Sequence, residues 1–375
     1  MKTIEKKDYN KVRPLFGELE AFQPMCAAVL AGVWPGQVWV DDPEKPASVL
    51  LLTFLSGGGA GWCFLAGEPG NQEFNAALNQ ALFEEKIAGK EAEAFLFTCH
   101  PSDWNGQLGV VGNPRLPAPM KRQHYLCRQL AYDWCAHLPE GYAIIPIETG
   151  LLKRDDLTIP SPIKTTLGKW ISIRTDQFRD YGFAVLYENQ VVAWATVDFV
   201  TSGVGDLGFE TLPEHRRRGL GSAVAAAALE QGLARGLTIH WTCADDNLGS
   251  QRTAARLGLE RGQDYVMYLF AVDVHTHTAQ LAYSKLAAGQ YQQAIELYEQ
   301  LFAQKADVPN WAYFDTAQAY AALGNAEKAL QYLRMAAKEG WPAAEITAQT
   351  LEFQILHGTP EWDAVIEQIR KNQQN

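Results

Sequence analysis

The sequence predicts a mixed α/β (α+β) protein that ends in an all-α region. Between residues 205 and 270 the hydrophobic pattern alternates between strand-like and helix-like segments, whereas from about residue 273 onward helical periodicity replaces strands. The chain has 375 residues, of which 47% are hydrophobic, and this is enough for two or three domains with packed cores.

The central region is built around a strand, a basic loop and a helix. Residues 205–211 alternate apolar and polar side chains as a half-buried strand does, with Leu207, Phe209 and Thr211 on one face. Residues 222–234 are almost all Ala, Leu and Val, which predicts a helix.

The loop between this strand and this helix predicts a phosphate site. It supplies Arg216, Arg217 and Arg218, followed by Gly219 and Gly221. The free N–H groups and the positive dipole of a helix N-terminus attract anions, and glycines let the anion approach the backbone. Runs of arginine are often only exposed surface. In a chain of net charge −11, however, this local cluster favours a bound anion.

The spacing Arg216-x-x-Gly219-x-Gly221 resembles motif A of the GNAT superfamily of acetyl-CoA-dependent N-acetyltransferases, whose loop binds the pyrophosphate of coenzyme A. A second block, residues 247–259, follows a strand predicted at 237–243 and resembles motif B of that superfamily. The resemblance implies a GNAT fold and acetyl-CoA as cosubstrate, with no metal. The cofactor-binding residues that it implies are Thr211, Leu212, Arg216, Arg217, Arg218, Gly219, Leu220, Gly221, Ser222, Asn247 and Ser250.

A narrower resemblance covers residues from about 22 to 270. It is to the acetyltransferase family that includes zwittermicin A resistance proteins, and it rests on sparse positions, namely Gly32, Gly36, Asp41, Ala66, Gly67, Glu210 and Thr211.

The chemistry implied by the GNAT resemblance is direct attack of an amine on the thioester carbonyl of acetyl-CoA. An alkyl amine with a pKa of about 10 must first lose a proton. Glu210 is the predicted base, because its strand lines the acetyl group in this fold and partial burial would raise its pKa. Alternatively, Glu210 pairs with Arg216 or Arg218. Backbone N–H groups around Thr211 and Leu212 are expected to bind the pantetheine arm and the carbonyl oxygen.

The group that protonates the departing thiolate is less clearly marked. Many relatives have a tyrosine seven residues after the motif B asparagine, and this sequence has Ala254 there. Tyr265, Tyr268 and Cys243 are substitutes by position, although each is more typical of a strand or a core. Asn247 itself bonds the pantetheine, caps its helix, or does both.

Two histidine features have structural interpretations. His240 is expected to be packed within its strand. The segment 275–277, His-Thr-His, resembles a metal pair only superficially and is expected to be a linker between domains.

The first 140 residues predict a degenerate copy of the central domain. The turn before its helix contains Glu68 and no arginine, and a carboxylate there repels phosphate. The Gly-rich segment 56–61 lies between two predicted strands, which favours a hairpin connection. The predicted elements are strands at 36–40, 48–55, 62–66 and 94–98, a helix at 71–87 and a final hairpin of 123–128 with 130–135.

The C-terminal region contains a repeat. The pattern Gly289-x-Tyr291-x-x-Ala294 recurs 35 residues later as Gly324-x-Ala326-x-x-Ala329, with hydrophobic positions continuing in phase. It resembles tetratricopeptide (TPR) repeats, which usually serve protein contact or self-association. Packing of this region on the enzyme domain is the alternative.

The predicted domains are therefore a degenerate GNAT-like domain at 1–140, an acetyltransferase domain with the acetyl-CoA site at 141–272, and a TPR-like domain at 273–375. The chain opens without an apolar signal segment and contains no run of about eighteen apolar residues, which predicts a cytoplasmic protein without a membrane partner. Six scattered cysteines fit a reducing compartment, and the acidic balance disfavours nucleic acid as a partner.

Two functional classes follow from these features. The first is an N-acetyltransferase for a small-molecule or protein amine. The second is a non-catalytic acyl-CoA-binding protein whose TPR region recruits a partner. A hydrolase is not favoured, because the sequence has no Gly-x-Ser-x-Gly elbow. The acceptor is not specified, although Asp206, Asp245 and Asp246 would attract a cation, and the N-terminal copy is expected to supply one wall of its cleft.

Overall fold

The computed structural model describes residues 1–55, 59–89, 91–148, 150–161, 163–165, 167–168, 181–304 and 308–374. Contacts divide the chain into two compact units, Met1–Phe270 and Ala271–Asn375. The first unit thus contains both the predicted N-terminal copy and the predicted central domain. No helix in the described ranges is long and apolar enough to cross a membrane.

The strands alternate with helices along the first unit. They are β1 (Lys2–Ile4), β2 (Gln37–Val40), β3 (Ser48–Phe54), β4 (Ala60–Gly67), β5 (Ala94–His100), β6 (Ala118–Cys127), β7 (Tyr142–Pro146), β8 (Tyr181–Tyr187), β9 (Gln190–Thr201), β10 (Val204–Thr211), β11 (Thr238–Ala244), β12 (Glu260–Arg261) and β13 (Tyr265–Ala271). Its helices are α1 (Tyr9–Phe16), α2 (Leu19–Phe22), α3 (Pro24–Leu30), α4 (Gln72–Asn79), α5 (Leu108–Gly112), α6 (Trp134–His137), α7 (Leu220–Ala234) and α8 (Leu248–Leu257).

The described strands form one sheet in the order β1-β2-β3-β4-β5-β13-β6-β11-β10-β9-β8-β7, with β12 beside β6. Most of the described pairings are antiparallel, whereas β4 pairs with β5 and β10 with β11 in parallel. The predicted tandem arrangement accounts for this repetition, because each half contains antiparallel strands, one parallel pair and a helix between the members of that pair.

The core of the second half lies between α7 and the sheet. Almost every residue of α7 is apolar, and a helix that is apolar all round must be buried on most sides. Val224 and Leu229 are fully buried against Leu207, Ile239 and other apolar side chains of β8 to β11. This packing fixes the start of α7 beside the end of β10.

The predicted hairpin of 123–128 with 130–135 is wrong. β6 runs from Ala118 to Cys127, and residues 134–137 form the short helix α6 instead of a return strand. β6 lies between β11 and β13, pairing Cys127 with Ile239 on one side and Arg122 with Tyr265 on the other. The N-terminal half thus contributes a strand to the second half, and its partners are too distant in sequence for local pattern to reveal. Of the Gly-rich segment 56–61, residues 56–58 lie outside the described residues.

The second unit is helical. Its helices are α9 (Val274–Ala287), α10 (Tyr291–Gln304), α11 (Asn310–Ala322), α12 (Ala326–Lys338), α13 (Ala344–Gln349) and α14 (Pro360–Gln374). Gly289 and Gly324 end the first helix of each repeat with φ of +71° and +78°, a conformation that glycine adopts without strain. Ala294 and Ala329 are fully buried where the helices pack closely.

The expectation that residues 275–277 form a linker is wrong. They lie in α9, because the Asp273 side chain accepts a hydrogen bond from the Thr276 N–H at 2.7 Å and so caps the helix. His277 is buried, and its Nδ1 accepts a hydrogen bond from the Ala271 N–H at 3.2 Å.

Candidate active site

A gap opens between the parallel strands β10 and β11. They pair at three positions, Val204 with Thr238, Gly205 with Ile239 and Asp206 with His240. Beyond Asp206, β10 continues to Thr211 while paired with β9, and β11 continues to Ala244 while paired with β6. Within the described residues, the facing edges of β10 and β11 are therefore unpaired over this length, and their backbone N–H and C=O groups are free to bind a ligand.

The corresponding strands of the N-terminal half do not separate. β4 and β5 pair at seven positions, from Ala60 with Ala94 to Ala66 with His100. The helix that follows β4 is also capped by its own chain, because Oδ1 of Asn71 accepts a hydrogen bond from the Phe74 N–H at 3.1 Å. In its described residues the first copy thus has neither the gap nor an open helix N-terminus, in agreement with its predicted degeneracy.

The basic loop forms a concave turn at the mouth of the gap. Arg217 and Gly219 both have left-handed backbone conformations, with φ of +61° and +84°. Alternation of left-handed residues with ordinary ones turns successive N–H groups toward one point, an arrangement that binds anions. The Arg216 side chain is held in place because its Nε donates to the Thr211 carbonyl oxygen at 3.0 Å.

The N-terminus of α7 is open. Its N-cap, Gly219, provides no side-chain cap, and the Gly219 carbonyl accepts its hydrogen bond from the Ala223 N–H at 3.0 Å. The N–H groups of Leu220, Gly221 and Ser222 precede this first intrahelical bond. A side chain at position 221 would begin 3.1 Å from the Phe209 ring, so glycine is what allows the helix to start so close to β10.

A fourth arginine reaches this loop. Arg216, Arg217 and Arg218 are exposed, and Nη1 of Arg256 lies 4.0 Å from the point where a side chain on Gly219 would begin. Sequence reasoning missed Arg256. Its position in the last turn of α8 was the available signal, since that helix follows the predicted Asn247 cap.

The structure corrects the premises on which Glu210 and Leu212 were assigned their roles. Glu210 faces away from Phe209 as predicted, but it is exposed, so it lacks the burial expected of it. Among the described residues it makes no ion pair with Arg216 or Arg218. The N–H of Leu212 already donates to the Val192 carbonyl at 2.9 Å, which removes it as a donor to pantetheine in this conformation.

Motif B has the predicted cap. Oδ1 of Asn247 accepts a hydrogen bond from the Ser250 N–H at 3.0 Å. Ala254, within the same helix, is fully buried. Cys243 is buried on the α7 side of the sheet, and burial raises the pKa of its thiol.

The two tyrosines predicted to replace the missing proton donor to the thiolate lie away from the gap. Tyr265 and Tyr268 lie on β13, which is separated from the β10–β11 gap by β6 and β11. Two strand spacings amount to about 10 Å. Tyr265 instead packs against Phe22 of α2, with ring centroids 5.6 Å apart.

The face of the sheet away from α7 is polar beside the gap. His240 packs within its strand as predicted and is buried, with Nδ1 3.0 Å from Nε2 of the equally buried His124. Burial lowers the pKa of both histidines to about 4, so the pair is neutral at pH 7. Phe22 and these two histidines help to line a cavity of about 480 Å³.

Comparison with known proteins agrees with this geometry. A family model described as GNAT acetyltransferase matches residues 13–268, and a tetratricopeptide repeat model matches residues 285–340. The uncharacterized N-acetyltransferase YdfB of Bacillus subtilis is 24% identical over 268 residues, covering 72% of this chain and 98% of that protein. The uncharacterized N-acetyltransferase YjdG of the same organism is 26% identical over 156 residues, covering 40% of this chain and 84% of that protein.

A solved structure shares the fold over about the length of the first unit. It is a tandem GNAT protein from the clavulanic acid biosynthesis pathway, with a TM-score of 0.51 and 14% identity, covering 72% of this chain and 98% of that chain. The narrower resemblance to zwittermicin A resistance proteins stays a prediction.

Proposed function

Because the chain belongs to the GNAT acetyltransferase family, we propose that it transfers an acetyl group from acetyl-CoA to an acceptor amine within a ternary complex. The observation that carries this proposal is the open N-terminus of α7 beside the gap between β10 and β11. The acceptor is the amine of a small molecule or of a protein.

The pyrophosphate of acetyl-CoA would bind at the loop. The N–H groups of Leu220, Gly221 and Ser222 supply donors at the positive end of the α7 dipole. Arg216, Arg217, Arg218 and Arg256 supply charge around them. The fit is supported by Gly219, whose left-handed backbone with φ of +84° places no side chain beside Arg256 at the start of α7.

The pantetheine arm and thioester would enter the gap. The unpaired edges of β10 and β11 offer backbone N–H groups that can bind the arm and stabilise negative charge on the carbonyl oxygen. Thr211, at the end of β10, and Asn247 and Ser250, at the start of α8, would contact the arm. The amine nitrogen attacks the thioester carbon, the C–S bond breaks, and coenzyme A leaves as the thiol.

Glu210 would meet the acceptor at the mouth of the gap. Its exposed carboxylate is suited to contact with a cationic amine from solvent. The N-terminal half would provide the opposite wall, through Phe22 of α2 and His124 of β6.

A second proposal is an acyl-CoA-binding protein without catalysis. It is favoured by Ala254, which stands buried where many relatives have a tyrosine, and by the helical unit with its TPR match. In either case we propose that this unit contacts a partner protein or a second copy of the chain.

Calorimetric titration with acetyl-CoA tests the shared part of both proposals. We expect binding by the parent, and loss of binding in Arg216→Ala and Gly219→Glu. Lys153→Ala, which removes an exposed charge elsewhere, is the control and should bind like the parent. Absence of binding by the parent would contradict both proposals.

A screen of primary amines then separates the two. An acetyltransferase should release coenzyme A thiol with at least one amine, and Glu210→Gln should weaken that activity while acetyl-CoA binding is kept. A protein that binds acetyl-CoA without any turnover would support the binding role.

A further inference from the structure

We infer that Asp206 is the catalytic proton acceptor for the acceptor amine and that Arg122, from the N-terminal half, is the positioning residue that keeps its carboxylate charged. This inference rests on the proposed acetyl transfer. It gives to Asp206 the role that the sequence assigned to Glu210.

The position of Asp206 is the first reason. Its pairing with His240 is the last between β10 and β11, so Asp206 stands at the closed end of the gap. Side chains of directly paired residues project from the same face, and the neighbouring Leu207 packs toward α7. Asp206 and His240 therefore project from the opposite, polar face. An amine that reaches a thioester in the gap from this face approaches Asp206.

The second reason is an unused buried oxygen. Oδ1 of Asp206 is buried and has no hydrogen-bond partner among the described residues. Buried polar atoms are nearly always hydrogen-bonded, because an unmade bond costs free energy. This oxygen is therefore available to a donor from a ligand. An acceptor amine would supply one.

Arg122 connects the two halves of the unit at this point. It lies on β6, and its Nη2 donates to Oγ1 of Thr242 on β11 at 3.0 Å. This bond holds the guanidinium on β11, the strand whose His240 pairs with Asp206, and the positive charge of Arg122 acts on Asp206. Nε of Arg122 is likewise buried without a partner in the described part of the chain.

The charges around Asp206 come from every strand beside it. β9 carries Asp198 directly opposite, and Thr196 donates to that carboxylate at 3.1 Å. Glu210 follows on β10 itself. His240 on β11 and His124 on β6 are neutral at pH 7, as described above. Arg122 is the cation on these strands whose charge acts on Asp206, whereas Arg128, which follows β6 and lines a cavity with His240, acts on His240.

The balance of these effects suits a base. Burial raises the pKa of Asp206 to about 7, against the opposing influence of Arg122 and of the Leu207 N–H. An alkyl amine has a pKa of about 10, which is closer to this value than to that of an ordinary aspartate, about 4. Without Arg122 the carboxyl would stay protonated near neutral pH and could not accept a proton.

The proton balance of the step is as follows. The ammonium group gives one proton to the Asp206 carboxylate, and the freed lone pair forms the N–C bond to the thioester carbon. As the C–S bond breaks, a second proton from nitrogen passes to the sulfur, so coenzyme A leaves as the thiol. Asp206 then releases its proton to solvent.

The test uses the full chain and two kinds of nucleophile. Release of coenzyme A thiol is measured with the best primary alkyl amine of the screen and with hydroxylamine, whose nitrogen is already neutral near pH 7. We expect Asp206→Asn to lower kcat for the alkyl amine at least about 100-fold while hydroxylamine turnover changes little. Calorimetric binding of acetyl-CoA should be unchanged, which also shows that the variant is folded. Asp103→Asn removes an exposed carboxylate of the N-terminal half and is the matched control.

The role of Arg122 is tested by pH profiles. Arg122→Met should raise the pH at which the alkyl-amine rate reaches half its maximum by about one to three units, and Arg122→Lys should shift it less.

Equal loss with both nucleophiles, or an unshifted profile in Arg122→Met, would overturn the inference while leaving acetyl transfer intact. The inference would also be overturned if Asp206→Asn turned over the alkyl amine normally while Asp198→Asn or Glu210→Gln lost that turnover. Absence of transfer by the parent to any amine would overturn the proposed function and this inference together.

Discussion

Nη1 of Arg256 lies 4.0 Å from the point where a side chain on Gly219 would begin. Helix α8 therefore brings a guanidinium to the loop that precedes α7. We expect Arg256→Gln to weaken acetyl-CoA binding about three- to tenfold, because a charge-assisted contact to phosphate is lost. The difference from the parent should shrink as salt is added. Arg252→Gln removes an exposed charge one turn earlier on α8 and should have a smaller effect. Equal effects of the two changes would contradict a specific contact.

The glycines at the two ends of α7 allow backbone strain and acetyl-CoA binding to be measured separately. Gly219 and Gly236 both have positive φ, +84° and +74°, so alanine at either position costs about 1 kcal/mol of folding free energy. Only Gly219→Ala should also weaken acetyl-CoA binding, because only Gly219 borders the anion loop. Chemical unfolding and calorimetry on both variants measure the two effects independently. Weakened binding in Gly236→Ala would show that the loop responds to helix stability instead.

Asp206 should destabilise the fold above neutral pH. Its pKa is about 7 in the folded chain against an ordinary 3.8, so the unfolded chain loses the proton first as pH rises. Stability is therefore lost between these two values and stays lower above pH 7. The full difference in pKa corresponds to a loss of at most about 4 kcal/mol in the free energy of unfolding. Asp206→Asn should be more stable than the parent at pH 8 and similar to it at pH 4.

Unfolding by denaturant at the two pH values measures this difference. The buried histidines have the opposite pH dependence, since their lowered pKa values cost stability as pH falls below 6.5 toward 4. Their contribution is the same in parent and variant and cancels in the comparison. A variant less stable than the parent at pH 8 would argue for a structural role of Asp206.

A second buried carboxyl tests the helical unit. Tyr298 donates to Oδ2 of Asp315 at 2.7 Å, and both side chains are buried. Burial raises the pKa of Asp315 to about 6, and the Tyr298 bond partly opposes that rise. Tyr298→Phe should cost about 1.5 to 3 kcal/mol at pH 8, where the carboxylate is charged. The cost should be smaller at pH 5. Tyr291→Phe is the control, because no hydrogen bond of its hydroxyl is found in the described residues.

Sequence pattern predicted the elements whose cause is local. The alternation of residues 205–211 and the Ala-rich run after Gly221 gave β10 and α7, because a strand face and a buried helix each leave a periodic signature. The Asn247 cap was predictable for the same reason, since capping joins residues three apart.

Contacts that depend on which strands pair in the sheet could not be predicted from the sequence. Arg122 and Asp206 lie 84 positions apart in sequence, and only the insertion of β6 beside β11 brings them to one face. Arg256 likewise meets Gly219 through the packing of α8 near α7. The expected burial of Glu210 failed because it was inferred from its strand, while exposure depends on what covers that strand.

The placement of β6 also constrains how the chain can be made. Residues 118–127 pair with residues 239–244 and 265–269, which a ribosome adds more than a hundred residues later. The central sheet cannot close until that synthesis is complete, and contacts of such long range form slowly. Until then β6 has an unpaired edge on each side, open to pairing with other chains. The second half of the first unit therefore depends on β6, a strand of the N-terminal half, to complete its sheet.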